Sequence, residues 1–153
     1  MARPRGHDDL EFDIRRLKAE KVQLLVSLLE EDEVIDLGLE QEKNQCSNHG
    51  IVFISYPIKD RGVPDDEKNL NFLLDRLAME IRKGCSIAIH CRMGIGRASI
   101  IAACLLVMDG QNVEEAFKTI SNVRGLKVPD TEDQKIWLQE KQFNLLKLRN
   151  RIF

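Results

Sequence analysis

Ser86-Ile87-Ala88-Ile89-His90-Cys91-Arg92-Met93-Gly94-Ile95-Gly96-Arg97-Ala98-Ser99 decides how the rest of the chain is read. A short β-type apolar run ends at His90, and a loop carrying two glycines follows it. From Arg97 the chain is apolar nearly all round until residue 109, the pattern of a helix enclosed in a core. A strand, a tight loop and a helix in that order form the junction at which open α/β sheets bind ligands.

The chemistry of the junction follows from its residue types. A helix start presents unpaired N–H groups and the positive end of the helix dipole. Gly94 and Gly96 allow the loop to curl, so that the N–H groups of Arg92, Met93, Gly94, Ile95 and Gly96 converge on one point as an anion nest. Arg97 adds a planar fork able to hold two oxygens of a phosphate. The same positive field favours an ionised Cys91 sulfur. A tetrahedral anion held there would place phosphorus in line with sulfur, the arrangement for phosphoryl transfer. Free cysteines are often simple packing residues, but packing does not account for the Gly-x-Gly-Arg that follows Cys91.

Upstream, residues 8–20 carry Leu10, Ile14 and Leu17 at helical spacing, and residues 22–29 form a nearly continuous apolar run that reads as a buried strand. Residues 30–42 are acidic, broken by Gly38, and read as a solvated helical connection. Residues 51–55 are a second strand, ended by Tyr56-Pro57. Residues 65–83 place Leu70, Leu73, Leu74, Leu77 and Ile81 on one helix face, with Asp65 as the expected N-cap and Gly84 as the stop. Downstream, Asn112 with Glu115 and Thr131 with Gln134 have the capping-box spacing, and Gly125 closes the helix between them. Strands alternating with helices predict an α/β fold, a mainly parallel central sheet flanked by helices, in a single domain over residues 1–153. Three strands make a thin sheet, which leaves room for a further strand or for a start inside the domain.

Bulk properties narrow the function classes. The formal charge of −2 argues against nucleic acid as a partner, although a local anion pocket needs only one Arg and a helix end. The longest apolar run, residues 100–108, is about half of a bilayer span, so no membrane insertion is expected. The opening Met1-Ala2-Arg3-Pro4-Arg5-Gly6 is basic and lacks the apolar stretch of a secretory leader. Four cysteines in that setting are expected to be reduced thiols in the cytoplasm. Cys46-Ser47-Asn48-His49 has no second pair at ligand spacing, so no metal is expected.

His90-Cys91, five residues and then Arg97 resemble the signature of the protein tyrosine phosphatase superfamily. Residues 55–64 (Ser-Tyr-Pro-Ile-Lys-Asp-Arg-Gly-Val-Pro) sit where its compact dual-specificity-type members, notably small prokaryotic ones, carry the general-acid loop. Residues 128–134 resemble the later segment of those members. The resemblance implies a cysteine-phosphatase fold, Cys91 as nucleophile, Arg97 as phosphate clamp and Asp60 as general acid, with no metal or organic cofactor. Asp60 has the competing use of a turn aspartate before Arg-Gly, and Asp65 and Asp66 are its rivals. His90 is expected to support Cys91. Gln134 either positions the hydrolytic water or completes the box with Thr131.

The implied substrates are phosphorylated proteins or peptides, phosphotyrosine first, with phosphoserine and phosphothreonine tolerated in a shallow pocket. Phosphoinositide-specific relatives tend to carry lysines in the loop, and here its one extra cation is Arg92. The family usually has Ser or Thr directly after the Arg, and this chain has Ala98, with Ser99 one step on. Two alternatives stay open at this level, a rhodanese-like sulfurtransferase and a non-catalytic phosphate-binding module.

Overall fold

The computed structural model describes the backbone of residues 1–152 and the side chains of residues 1–149. Three parallel strands, β1 (Leu24–Ser27), β2 (Val52–Ser55) and β3 (Ile87–His90), form a sheet in the order β2-β1-β3. All four residues of β1 are buried, while both flanking strands are partly open. That difference explains why 22–29 is the most continuous apolar run among the strands, since a central strand is covered on both faces.

On one face, α1 (Leu10–Ala19) and α3 (Glu42–Asn48) cover the sheet, with Leu10, Ile14, Leu25, Leu29 and Cys46 in a small core. On the other, α4 (Glu67–Arg82), α5 (Arg97–Met108), α6 (Val113–Arg124) and α7 (Glu132–Ile152) build a larger core with Leu24, Val26 and Leu28. The central member of that layer is α5, which packs against β3, α4, α6 and α7. Ile100, Ile101, Ala103, Cys104 and Val107 are fully buried, as expected of a helix without a polar face. Its N-terminus is therefore a fixed point, and the loop before it inherits that rigidity.

The helix ends follow the sequence signals with one shift. Asn112 and Glu115 exchange both capping-box bonds, and Gly125 adopts the left-handed conformation, φ +66°, that a Schellman-type stop requires. The N-cap of α4 is Asp66, not Asp65. Its carboxylate accepts from Asn69 N at 3.0 Å and from Asn69 Nδ2 at 2.7 Å. Asp66 has the extended backbone of an N-cap, φ −107° and ψ 103°, so the helix starts one position later than Asp65 would place it.

The acidic stretch departs further from expectation. It forms α2 (Glu31–Asp36) and, after a turn, the start of α3. Glu33 and Glu42 are buried, at 6% and 2% exposure, so the segment is not a solvated connection. Both carboxylates have buried basic partners from the other half of the chain, described below. At the open edge of the sheet, Met1 donates its amine to the Ile89 carbonyl at 2.6 Å and Ala2 forms a parallel bridge with Cys91. This short pairing adds no fourth strand among the described residues.

Candidate active site

The loop from Cys91 to Gly96 leaves the end of β3 and enters α5 at Arg97, with Gly96 as N-cap. Cys91 is 3% exposed, and its Sγ accepts a hydrogen bond from Gly94 N at 3.2 Å. Gly94 reaches that position at φ +71°, and a Cβ there would collide with the Met1 backbone. Gly96 is required for a different reason: a Cβ would press on the Gln134 side-chain amide.

Arg97 is 2% exposed, and its guanidinium is bound on most sides. Nη1 donates to Glu33 Oε2 at 2.6 Å and to the Ile58 carbonyl at 2.9 Å. Nη2 donates to Glu33 Oε1 at 2.9 Å and to Asp60 Oδ1 at 3.0 Å. Glu33 thus forms a bidentate, charge-assisted pair that sets the plane of the fork. Burial pushes the Glu33 carboxyl up, but the hydrogen bonds from Arg97 and from Glu30 N, with the charges of Arg97 and Arg92, outweigh it. The carboxyl therefore titrates below the usual carboxylate range. Burial alone would lower Arg97, and the Glu33 bonds and the facing anions raise it instead. Glu33 also accepts from Glu30 N at 3.0 Å, so the first turn of α2 is built around it.

Asp60 lies on the loop after β2, and its side chain is 57% exposed. Its N–H donates to Glu30 Oε2 at 3.2 Å, and its Oδ1 also accepts from Arg61 N at 3.0 Å. Arg61 takes a left-handed φ of +56° and pairs with Asp130 at 3.2 Å across the cleft mouth. Gln134 secures this loop from below, donating from Nε2 to the Gly62 carbonyl at 3.0 Å. Its amide oxygen accepts from Thr131 N, and its own N–H donates to Thr131 Oγ1. Of the two open readings of Gln134, the geometry realises the capping box, with a loop tether added.

The sequence-derived residues Asp60, Cys91, Arg92, Met93, Ile95, Gly96 and Arg97 line one cleft of about 270 Å³, together with Arg61 and Asp130. Gly94 lies beneath it, bonded to Cys91. Arg92 is half-exposed with Nη1 4.0 Å from Glu33, and Met93 stands at the rim. His90 is wholly buried, and its Nε2 lies 2.9 Å from Glu42 Oε1. That approach does not meet hydrogen-bond geometry, so it is a close contact of buried partners rather than an aligned bond. Asp65 and Asp66 line a separate groove and not this cleft.

Ser99 Oγ donates to the Gly94 carbonyl at 3.5 Å, and Ala98 has no hydroxyl. Among the described residues the Cys91 sulfur therefore has no side-chain O–H donor. Burial, with the Glu42 charge, pushes Cys46 up to about 12, and burial raises Cys104 even further. Sequence reasoning missed Glu33, Glu42, Arg61 and Asp130. The only available signal was that an Arg at the head of a core helix must find an anion somewhere.

Comparisons with known proteins bear on this geometry. The family model described as polymorphic toxin system, DSP-PTPase phosphatase, matches residues 1–111. A tyrosine-phosphatase-like chain of Invertebrate iridescent virus 3 is 44% identical over 79 residues, covering 48% of this chain and 33% of the viral one. Cyclin-dependent kinase inhibitor 3 of Rattus norvegicus is 27% identical over 134 residues, covering 86% of this chain and 63% of that protein. The chain thus spans less than two thirds of either relative. In architecture it is similar to a crystal structure of kinase-associated phosphatase whose catalytic-site cysteine is replaced by serine. That match has a TM-score of 0.86 at 24% identity and covers 95% of this chain and 85% of the other.

Proposed function

The chain belongs to the DSP-PTPase phosphatase family, and on that premise we propose that it hydrolyses phosphomonoesters through a phosphocysteine intermediate. The observation that carries this reading is the convergence of Cys91, Arg97 and Asp60 on one small cleft. In the first step the Cys91 thiolate attacks phosphorus, the ester P–O bond breaks, and the Asp60 carboxyl gives its proton to the departing oxygen. In the second, the Asp60 carboxylate takes a proton from water as the water oxygen attacks phosphorus. The P–S bond then breaks and the thiolate returns.

Arg97 and the N–H groups of residues 92–96 hold the equatorial oxygens throughout. Nη1 and one N–H of Nη2 are committed to fixed acceptors, which leaves Nε–H and the Nη2–H shared with Asp60 for phosphate. Substrate binding therefore shifts Asp60 off Arg97 and toward the leaving oxygen. These protein donors satisfy the charge of the phosphoryl group, so the reaction as derived assigns no task to a metal or an organic cofactor.

The substrate class is a phosphorylated protein or peptide, phosphotyrosine foremost and phosphoserine or phosphothreonine second. A wider groove of about 670 Å³ shares Ile95 and Asp130 with the cleft and offers room for flanking peptide. The similarity to tyrosine-phosphatase relatives supports a protein substrate, and the single extra loop cation, Arg92, weighs against a phosphoinositide. We place this activity in one domain over residues 1–153 acting in the cytoplasm. No described helix is long and apolar enough to cross a membrane.

Turnover of p-nitrophenyl phosphate tests the reading directly. Activity should be unchanged in EDTA and abolished in Cys91→Ser, with phosphate binding retained in the variant. Activity lost to EDTA and restored by a divalent ion would overturn it. Saturable phosphate binding without turnover would make the protein a binding module instead.

A further inference from the structure

One ion pair spans the mouth of the cleft, Arg61 Nε to Asp130 Oδ2 at 3.2 Å, and each member stands on a tethered loop. Arg61 follows Asp60 directly. Just after it, Gly62 N donates to the Lys59 carbonyl at 2.8 Å, and the Gly62 carbonyl accepts from Gln134 Nε2. Asp130 directly precedes Thr131, which exchanges capping bonds with the same Gln134. Its Cβ lies so close to the phosphate loop that a Cβ added at Gly96 would stand 3.1 Å from it. One glutamine therefore holds both loops. The pair across them is fixed in place although water reaches both side chains, at 68% and 39% exposure.

Asp130 is also, with Ile95, the residue at which the cleft and the wider groove meet. Arg61 lines the cleft and not the groove. Arg92, the other cation of the rim, does not line the groove either and lies 4.0 Å from Glu33. A peptide whose phosphorylated side chain fills the cleft, and whose chain leaves through the groove, passes Asp130 first. Among the described residues Asp130 is the only ion-pair partner of Arg61. Without it, Arg61 would offer its donors to an acidic residue at that point. With it, the fork is occupied, and a carboxylate faces the incoming chain with Asp60 as a second like charge beside it. Lys118, Lys127 and Lys135 line the groove beyond, against Glu114 and Glu132, and act on residues further along the peptide.

We propose that Asp130 is the specificity-determining residue of the cleft mouth: by occupying Arg61 it denies that cation to the substrate. The residue next to the phosphorylated one is then accepted when uncharged and disfavoured when acidic or itself phosphorylated. The substrates so selected are singly phosphorylated segments with a neutral flank. Selection of this kind works by repulsion of the wrong partner and by withholding a contact, not by adding one. The inference deepens the phosphopeptide reading and rests on it.

Paired phosphotyrosine peptides, identical but for Ala or Asp next to the phosphotyrosine, test this, with the N-terminal and C-terminal sides taken in turn. The readout is the ratio of kcat/KM for the two peptides of a pair, in which any change in overall activity cancels. Asp130→Asn should move the ratio on one side about fivefold toward the Asp peptide, the size of one water-exposed ion pair, and salt should weaken the shift. On that side wild type should favour the Ala peptide. Adding Arg61→Gln to Asp130→Asn should remove most of the shift, because the freed cation is then gone. No shift on either side in Asp130→Asn, a shift that survives in full in the double variant, or a wild-type preference for Asp on the responding side would overturn the proposal. Binding of the same peptides to Cys91→Ser variants, followed by fluorescence anisotropy, gives the ratios without chemistry. The expected ratios in binding, from a wild type that turns over neither peptide, would uphold the role of Asp130 and count against the phosphatase function. Binding of neither peptide would overturn the role as well.

Discussion

Two carboxylates grip the same guanidinium from two regions of the molecule, and they do so on different terms. Glu33, on the first turn of α2, meets Arg97 with both oxygens and is 8% exposed as a side chain. Asp60, on the loop after β2, meets it with one oxygen and is 57% exposed. The first pair is closed to water and fastened by the Glu30 N–H and the helix turn. The second is open to water on its Asp60 side and has a single-oxygen contact, so it is held less firmly than the first. One arginine therefore has a brace and a gate. In the proposed mechanism the brace sets where phosphate binds, and the gate supplies the proton once phosphate has displaced it.

That division is most severely tested by removing the gate. Asp60→Asn is expected to lower kcat by about 10²–10⁴-fold, the range for one general acid, with little change in thermal stability. The loss should shrink for aryl phosphates with acidic leaving groups, which need no proton. Steady-state kinetics across leaving groups checks this, and a larger loss in Asp65→Asn would move the acid elsewhere.

Removing the brace should act on the fold. Glu33→Ala is expected to destabilise the protein by about 3–5 kcal/mol, because it leaves a buried guanidinium charge without its partner. Asp60→Ala should cost under about 1 kcal/mol by the same urea titration. Comparable losses in the two variants would erase the distinction.

The loop side of the comparison is sharpened at Ala98. A hydroxyl there would donate to sulfur as it leaves phosphorus, adding about 1.5–3 kcal/mol, or about 10- to 100-fold in rate, if the bond strengthens in the transition state. Ser99 is directed to the Gly94 carbonyl, so it does not stand in. Wild type should therefore show a burst of phenolate followed by a slower steady state, and Ala98→Ser should remove the burst. Stopped-flow kinetics without a burst in wild type would show that phosphocysteine formation, not its hydrolysis, limits turnover.

The finest test is pH. The folded-state pKa of Glu33 is depressed, so its contribution is fully present above the ordinary carboxylate range. It is lost as pH falls through the depressed value. The stability gap between wild type and Glu33→Gln should hold from about pH 5 upward and close below about pH 4. A gap unchanged in acid would mean that the pair contributes through shape and not through charge.

Legibility in the sequence follows the same division between local and distant. The phosphate loop is contiguous, its glycines and Arg97 stand at fixed offsets from Cys91, and the strand, loop and helix around it could be read directly. The capping boxes were equally readable, being three-residue patterns. Glu33 and Glu42 were not, because each finds its partner 64 and 48 positions away, where spacing carries no information. An acidic stretch looks the same whether its carboxylates face water or a buried cation. Asp66 rather than Asp65 as the N-cap was a smaller miss, because two adjacent aspartates carry the same capping signal.

The enclosure of α5 has a consequence for change over time. A helix buried along most of its faces tolerates few substitutions, and in the proposed mechanism it fixes the anion seat at its N-terminus. New substrate preferences cannot arise by reshaping that seat without unsettling the core. They must come from Arg61, Met93 and Asp130 at the rim, which are at least partly exposed and can be replaced without disturbing α5. On the proposed function the molecule separates a constrained reaction centre from an editable border, and diversification among its kin should be concentrated in the border.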